Sequence, residues 1–442
     1  MNTLIIEIND FELTLIQGRH HINELGCALV SDEDVLFGEL AWQQAKTSPL
    51  NMYYHYWQRL GYEEVNTVNS QINHFADLAY IQLQRLTADF HNSLNIIFVV
   101  PPYYNNEQLS LLLGIAKACD LSVSAIVNNA VAYLAGASYN YNDQSAVLID
   151  IELNQTTCTE LVTNSILSVK QNHVVAEQGV HDLYRVMAKW INEKLVKECR
   201  FDGFYTAETE QEIYQKIPNL LKLAKDQYDI SIADRNIMIS INEVREKLDD
   251  FFKASLNNLP SANQYFITRR FANFLERLTI NSEQDFIVVD KHALASNINK
   301  KFDVLTSDKD IRLITQLPLN HKNKDDINTE LHGNIKVNKA SVITHLLING
   351  CAYPFEYTGE ISDEKQYYLS VQPPYITLER TEQSIITVIN SHQCWRIENH
   401  NSQNVYLNEL PLEHFHELVV GDQITSSLLD KTMQFIHVKK DS

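Results

Sequence analysis

Four short and almost wholly apolar runs constrain the fold of this chain more than any other feature. They lie at Thr3–Ile8, Asn95–Pro102, Ser145–Ile151 and Asp285–Asp290. Runs of this length without polar alternation are typical of strands that are buried on both faces of a sheet. Segments with apolar residues at helical spacing lie between them, for example Asn106–Asp120. The pattern predicts a mixed α/β fold.

The order of these elements repeats along the chain. A strand meander, a helix, a buried strand and a second helix fill about residues 1–140, and the same series fills about residues 145–315. In the first series, Leu13–Ile16 and Ala28–Leu36 are the predicted neighbours of the first strand. A duplication of this kind predicts two α/β lobes that face a cleft, together forming one domain over residues 1–315.

The last quarter of the sequence has a different character. Residues 333–442 contain short β-rich runs separated by turn residues, with almost no helical periodicity, which predicts a separate all-β sandwich domain. The segment between the two domains, residues 316–332, includes the polar stretch Asn320–Glu330 and is interpreted as a linker.

Charge and composition narrow the classes of function. The formal net charge is −20 and no basic cluster offsets it, which argues against binding to nucleic acid or to anionic membranes. No run approaches about 18 consecutive apolar residues, so we expect no membrane insertion. The six cysteines form no CxxC pair, and we interpret them as reduced. An N-terminus without a basic region or a cleavage-type sequence predicts a cytoplasmic protein.

One stretch carries a motif of fixed order and spacing. The second apolar run ends in Val100-Pro101-Pro102-Tyr103-Tyr104-Asn105, and it is followed by Gln108, Gly114, Val123, Ile126, Asn128 and Ala132. This stretch resembles the DnaK-type heat-shock chaperones, which read V-P-A-Y-F-N and then N-E-P-T-A-A at these positions. A weaker resemblance extends over about residues 1–310. It implies an α/β two-lobed actin-like (ribonuclease H-like) ATPase fold with a nucleotide cleft between the lobes.

The loops that hold phosphate in that family differ in this chain. The family's first hairpin reads I-D-L-G-T-T, whereas Ile6–Phe11 has neither the glycine nor the threonines. The second reads D-L-G-G-G-T, and residues 150–155 keep Asp150 but none of the glycines. Asp10 and Glu12 would also place negative charge where phosphate binds. The whole chain has 12 glycines, where ordinary usage predicts about 31.

Other positions of the family's nucleotide site are also changed. The glutamate of N-E-P-T falls on Asn129, the Gly-Gly adenosine loop falls on Val289–Leu294, and an E-x-x-K helix keeps only its lysine, at Lys225. The resemblance therefore assigns Glu7, Asp150, Asn129 and Lys225 to a vestigial nucleotide cleft. Glu7 and Asp150 have two open interpretations, as a residual Mg²⁺ pair or as two carboxylates that end strands at a solvated cleft.

A second motif lies near the C-terminus. Trp395–Asn408 and Leu418–Ile424 resemble forkhead-associated domains, which read W-x-L-x-D-x-x-S-x-N-G-T-x-V-N and later L-x-x-G-D-x-I. That resemblance implies phosphothreonine-peptide binding through charge-assisted hydrogen bonds, with Arg380, Ser402 and Asn404 as candidate residues. One residue of N-G-T is missing and no S-x-x-H element precedes it. A structural or protein-docking role for the domain is therefore the alternative.

Together these features predict a catalytically degenerate, chaperone-like pseudo-ATPase that acts as a scaffold or adaptor for protein partners. We expect no catalytic residue and no cofactor, apart from possible weak binding of ATP and Mg²⁺. His20-His21 is predicted to be a pair in a loop. Neither this pair nor His414-x-His416 has further ligands at metal spacing, so we expect no metal site. The alternative is a divergent ATP-dependent DnaK-like chaperone in which the β-domain takes the place of a peptide-binding domain.

Overall fold

A computed structural model of the chain describes residues 3–319, residues 334–335 and a set of strands between residues 345 and 436. The first range has gaps at residues 19, 66, 68, 89, 91–94, 136–144, 164, 223–225, 258, 276–285, 290 and 308–309. The chain divides into two compact units. The first comprises residues 1–221 and 227–337, and the second comprises residues 338–442 with the short segment 222–226.

The described strands of the first unit are short and mostly buried. In chain order they are β1 (Thr3–Glu7), β2 (Leu13–Gln17), β3 (His20–Glu24), β4 (Ala28–Val30), β5 (Val35–Phe37), β6 (Met52–Tyr53), β7 (Asn95–Val100), β8 (Val123–Asn128), β9 (Ser145–Ile151), β10 (Gln155–Thr163), β11 (Ile166–Ala176), β12 (Gln227–Ile232), β13 (Arg235–Ser240), β14 (Gln264–Thr268), β15 (Phe286–Val289), β16 (Leu313–Ile314), β17 (Gln316–Pro318) and β18 (Asn334–Ile335).

The described helices alternate with these strands. They are α1 (Gly38–Trp42), α2 (Phe75–Thr87), α3 (Asn106–Ala118), α4 (Asn129–Leu134), α5 (Val180–Cys199), α6 (Ala207–Leu221), α7 (Ile241–Asn257), α8 (Arg269–Leu275) and α9 (Lys291–Leu305). A 3-10 turn at Pro49–Asn51 precedes β6. The structure of the described part is therefore mixed α/β, as the sequence predicts.

Two of the sheets in this unit have the same internal order. In the first sheet, β1 pairs antiparallel with β2, β2 pairs antiparallel with β3, and β7 and β8 continue parallel to β1 on its other side. In the second sheet, β9, β10 and β11 form the antiparallel meander, and β14 and β15 continue parallel to β9. We call residues 3–135 the first half and residues 145–307 the second half.

The central strands are buried on both faces, which explains their continuous apolar sequence. Along β1, Leu4 and Ile6 join a core cluster that includes residues of α2 and α3. Ile5 points to the opposite face and joins a cluster that contains residues of α4, α9 and both sheets, such as Ile97 of the first sheet and Leu148 of the second. The two halves therefore share one apolar core.

Local signals set the start of the helices that follow the motif strand. The side chain of Asn105 accepts a hydrogen bond from the Gln108 backbone at 2.9 Å, and the Gln108 side chain accepts one from the Asn105 backbone at 3.1 Å. This reciprocal cap begins α3. The side chain of Asn128 caps α4 in a similar way, because it accepts from Ala130 at 3.0 Å.

One part of the predicted first meander is wrong. The strand beside β2 is His20–Glu24, which includes the histidine pair that the sequence places in a loop. The predicted neighbour Ala28–Leu36 instead forms β4 and the start of β5, in a separate three-stranded sheet with β6. β3 lies at the edge of its sheet and is partly exposed, so it carries polar residues and lacks the apolar pattern of a buried strand.

The described part of the second unit contains strands in two sheets, and no helix. The strands are β19 (His345–Ile348), β20 (Cys351–Pro354), β21 (Lys365–Gln372), β22 (Tyr375–Thr377), β23 (Ser384–Ser391), β24 (Cys394–Asn399), β25 (Val405–Leu407), β26 (Leu410–Pro411), β27 (Phe415–Leu418), β28 (Gln423–Ser426) and β29 (Leu429–Ile436). Their orders are β20-β19-β29-β28-β25-β26 and β22-β21-β23-β24-β27. The predicted linker stretch Asn320–Glu330 lies outside the described residues. In the described chain, no helix has both the length and the apolar character needed to cross a membrane.

Candidate functional site

Two carboxylates from different sheets meet between the halves of the first unit. Glu7 is the last residue of β1, and Asp150 lies near the end of β9, the corresponding first strand of the second meander. Both side chains are buried, with 1% of each residue exposed. The sequence assigns both residues to one cleft, and the structure brings them together.

Arg270 binds both of these carboxylates. It lies in the first turn of α8, directly after β14, and is 6% exposed. Its Nε and Nη2 atoms each donate to an oxygen of Asp150 at 2.8 Å. Its Nη1 donates to Oε2 of Glu7 at 3.2 Å, and its Nη2 also donates to Oε1 of Glu7. We call Glu7, Asp150 and Arg270 the ionic centre.

Neutral donors complete the ionic centre. Tyr133 of α4 donates its hydroxyl to the two Glu7 oxygens at 3.0 and 3.2 Å. Thr268 donates to Asp150 at 2.5 Å, and the amide of Asn9 donates to Asp150 at 3.2 Å. These bonds satisfy carboxylate lone pairs that one guanidinium cannot reach.

Burial and charge act in opposite directions on these groups. Burial raises the pKa of Glu7 above its ordinary value, although the guanidinium of Arg270 acts to lower it. For Arg270, burial lowers the pKa, but the charges of Asp150 and Glu7 outweigh it and hold the pKa well above its ordinary value. The arginine therefore stays charged in a buried position, because its counter-charges are within hydrogen-bonding distance.

The two meander hairpins also contact each other directly. Asp10, in the first hairpin, accepts a hydrogen bond from the backbone of Leu153 at 2.6 Å and one from the side chain of Asn154 at 3.2 Å. We call these bonds the hairpin contact. Burial raises the pKa of Asp10 to about 7, although its hydrogen bonds act to lower it. A Cβ atom at Gly26 would lie 2.9 Å from the Asp10 backbone. The segment around residue 26 therefore needs a glycine to lie this close to the first hairpin.

A further acid lies beside the hairpin contact. Glu152 is 1% exposed, and its Oε2 accepts from the Tyr103 hydroxyl at 2.8 Å and from Gln155 at 2.9 Å. Its Oε1 has no hydrogen-bond partner among the residues that the structure describes. Burial, together with the nearby Asp10, raises the pKa of Glu152 well above its ordinary value.

The N-terminus of α5 is filled by the second hairpin. The backbone of Val180 donates to the carbonyl of Glu152 at 3.0 Å, and that of His181 donates to the carbonyl of Leu153 at 2.8 Å. A Cβ atom at Gly179 would lie 2.4 Å from three backbone atoms of this hairpin. Glycine at position 179 therefore serves the close approach of the hairpin to the helix.

Aromatic side chains join the halves at a second place. Trp42 of α1 meets Tyr184 of α5 edge-on with ring centroids 5.3 Å apart, and Tyr54 stacks on His181 at 4.4 Å. We call these four residues the aromatic seam. Burial lowers the pKa of His181 to about 4, with the charge of Lys46 acting in the same direction.

Of the remaining residues assigned from sequence, the structure describes only Asn129. Asn129 is buried at the start of α4, and its Oδ1 has no hydrogen-bond partner in the described structure. Lys225 lies outside the described residues, as do the peptide-binding candidates Arg380, Ser402 and Asn404. Sequence reasoning missed Arg270. Its signal is the arginine pair Arg269-Arg270 that follows the apolar run Tyr265–Ile267 after one threonine.

Magnesium and nucleotide are the groups that the chaperone resemblance implies at this place, and the residues present do not fit them. Both carboxylates already bind the guanidinium of Arg270. The backbone of Leu153 and the N-terminus of α5 already have protein acceptors. No group of three or more histidine, cysteine, aspartate or glutamate residues with the geometry of a metal site occurs in the described part of the chain.

The surroundings of Glu7 and Asp150 differ from the solvated cleft edge of one interpretation. They are not at a solvated edge, since both are buried, and their partner is an internal cation. Comparison with known proteins adds no assignment. No model of a known protein family matches the chain, and no curated protein sequence is significantly similar to it.

Proposed function

We propose that the first unit is a two-lobed actin-like body that has lost nucleotide chemistry, and that the protein acts as a scaffold or adaptor through protein–protein contacts. The shared strand order of the two sheets supports the fold. So do the roles of the motif residues, since Asn105 caps α3 and Tyr104 donates to the carbonyl of Trp57 at 2.6 Å.

The hairpin contact carries the proposal that nucleotide chemistry is lost. In the DnaK-type chaperones that the chain resembles, backbone donors of the two hairpins hold phosphate. In this chain the Leu153 donor binds Asp10, and the first donors of α5 bind the carbonyls of Glu152 and Leu153. A phosphate would have to displace these bonds and then lie beside buried carboxylates, and both steps are unfavourable.

The proposed scaffold role rests on the protein surface, which the fold retains when nucleotide hydrolysis is lost. A body that no longer cycles with nucleotide still presents a fixed surface, and a second unit adds another surface on the same chain. The net charge of −20 argues against nucleic-acid and anionic-membrane partners, so we propose protein partners.

Calorimetry with Mg²⁺ and ATP on the full chain tests the loss of nucleotide chemistry. We expect no heat of binding and no phosphate release above buffer, while an active DnaK-type chaperone in the same buffer gives both signals. Sub-micromolar affinity for ATP, or measurable turnover, would contradict the proposal and favour the divergent ATP-dependent chaperone.

For the second unit we propose protein docking, with phosphothreonine recognition as a narrower possibility. Partners recovered with the full chain should bind equally well with and without ATP. If free phosphothreonine abolishes this binding, and Ser402→Ala and Arg380→Ala weaken it, the unit recognises its partner as forkhead-associated domains do. Binding that these changes leave intact would assign docking to another surface.

A further inference from the structure

The ionic centre compensates the repulsion between two buried carboxylates, one from each sheet. Glu7 and Asp150 come from different sheets, and both are almost fully buried. Two buried carboxylates this close repel strongly unless a cation lies between them. Arg270 supplies that charge from within the chain, so no ion from solution is needed to bring the ends of β1 and β9 together.

The two ion pairs of Arg270 span different distances along the sequence. Asp150 and Arg270 belong to neighbouring elements of the second sheet, because β9 pairs with β14 and α8 follows β14 directly. The Glu7–Arg270 pair joins residues 263 positions apart in the sequence and links the second half to the first. The arginine is therefore held by one half and binds the other.

The shape of the guanidinium suits this double task. Nε and Nη2 of Arg270 engage Asp150, while Nη1 and Nη2 engage Glu7, so the planar group forms a two-point contact on each side. A lysine ammonium offers a point charge and could not form both contacts. The hairpin contact between Asp10 and Leu153 crosses the same junction, and its amide hydrogen can report whether the junction opens.

We propose that Arg270 is a built-in cation that locks the two halves of the first unit against each other. It takes the structural place that a bound cation would otherwise fill, and it keeps the junction closed without nucleotide. The inference rests on the proposed function in one respect, since a body that works without nucleotide needs its own means of closure.

Amide hydrogen exchange on the full chain tests the lock. Arg270→Met removes the charge while keeping most of the length of the side chain. In this variant we expect the amide of Leu153 to exchange at least about ten-fold faster. This increase corresponds to an ordinary energetic coupling between Arg270 and the hairpin contact. The amide of Cys158, in the middle of β10, should change by less than about two-fold, because Cys158 lies inside the second sheet, between β9 and β11, and not at the hairpin contact.

Two further variants keep the test decisive. Arg185→Met removes an exposed arginine that pairs with Asp182 within α5, and it should leave both amides unchanged. The double variant with Glu7→Gln and Arg270→Met removes one negative charge as well as the cation, so it should fold even where Arg270→Met alone does not. In the double variant the Leu153 amide should still exchange about ten-fold faster than in the wild type.

Each outcome separates this inference from the proposed function. Wild-type exchange at Leu153 in the double variant, or an equal increase at Leu153 and Cys158, would overturn the lock. Neither measurement uses nucleotide, so that failure would leave the calorimetric test of the pseudo-ATPase unaffected. Tight ATP binding by the wild type would contradict the proposed function and leave the exchange result standing.

Discussion

The ionic centre and the aromatic seam join the same two halves of the first unit by different physical means. In the ionic centre, three buried charges are held by specific donor–acceptor pairs. In the aromatic seam, the rings of Trp42 and Tyr184 meet edge-on, and burial of apolar surface provides most of the stabilisation. The first contact depends on individual atoms, whereas the second depends on shape and can adjust to a changed ring.

This difference predicts how each contact responds to substitution. Replacing a whole buried ion pair with apolar groups can be neutral, but removing one partner leaves an uncompensated charge. Removing part of an aromatic cluster costs the lost area and a ring contact, and the remaining side chains can partly fill the space. The ionic centre should therefore be the more sensitive of the two to a single substitution.

The largest effect is expected at Arg270. Arg270→Ala leaves Glu7 and Asp150 buried without a cation, so we expect the free energy of unfolding to fall by about 3–5 kcal/mol. Denaturant unfolding of the full chain, followed by a signal from the first unit, measures it. Arg185→Ala is the control, because its exposed pair with Asp182 should contribute less than about 1 kcal/mol. Equal losses in the two variants would show that the ionic centre is energetically ordinary.

The next effect concerns the hairpin at the N-terminus of α5. Gly179→Ala places a Cβ atom 2.4 Å from backbone atoms of residues 153–155, and backbone cannot move away as a flexible side chain can. We expect a loss of about 2–3 kcal/mol in the free energy of unfolding.

Gly114→Ala is the matched control for this substitution. Gly114 lies in α3, and an added Cβ atom there meets no atom within 4 Å. Because alanine favours a helix over glycine, we expect a gain of about 0.5–1 kcal/mol. If both substitutions change stability in the same direction, the close approach of the hairpin to α5 does not exist in solution.

The aromatic seam should respond more weakly. Trp42→Phe keeps an aromatic ring but shortens the edge-on contact with Tyr184, so we expect a loss of about 1–2 kcal/mol in the free energy of unfolding. Thermal unfolding of the two proteins measures it. Tyr62→Phe is the control, since Tyr62 is 74% exposed and should change stability very little. A Trp42→Phe loss as large as that of Arg270→Ala would remove the distinction between the two contacts.

Local sequence signals predicted the elements around the site well. The strand predicted from the run Asn95–Pro102 spans Asn95–Val100, and the helix predicted at Asn106–Asp120 spans Asn106–Ala118. A continuous apolar run and a capping side chain act over a few residues, so both can be interpreted without knowing the rest of the fold. The edge strand His20–Glu24 lacks these signals, and the prediction of a loop at His20-His21 is wrong.

The site itself was only half predictable. Glu7 and Asp150 are assigned to one cleft by the family resemblance, and they lie at equivalent strand ends of the two sheets. Arg270 is 263 residues from Glu7, and no local pattern states that a helix-start arginine will reach another sheet. Whether a pair of carboxylates binds metal, water or an internal cation depends on that long-range contact, and sequence periodicity does not contain it.

Two buried titrating groups sharpen the comparison further, because they respond to pH in opposite directions. Asp10 of the hairpin contact keeps its proton up to a pKa of about 7 in the folded chain and loses it near pH 3.8 when unfolded. The folded state therefore binds more protons between these values, and stability falls as pH rises. His181 of the aromatic seam stays neutral down to a pKa of about 4 when folded but is protonated below about pH 6.5 when unfolded. Stability therefore falls as pH is lowered through that window.

Difference curves between variants and wild type isolate these two contributions. From pH 4 to 6.5, Asp10→Asn should become steadily more stable relative to the wild type, because the wild type must take up a proton at Asp10 when it folds, and this costs more as pH rises. His181→Phe, which keeps the stacking on Tyr54, should become steadily less stable relative to the wild type, because the wild type must release a proton from His181 when it folds, and this costs less as pH rises. Each slope is at most about 1.4 kcal/mol per pH unit for one proton. Gly114→Ala titrates nothing and should give a flat difference. Slopes of the same sign for Asp10→Asn and His181→Phe would show that one of these groups is not buried in its folded environment.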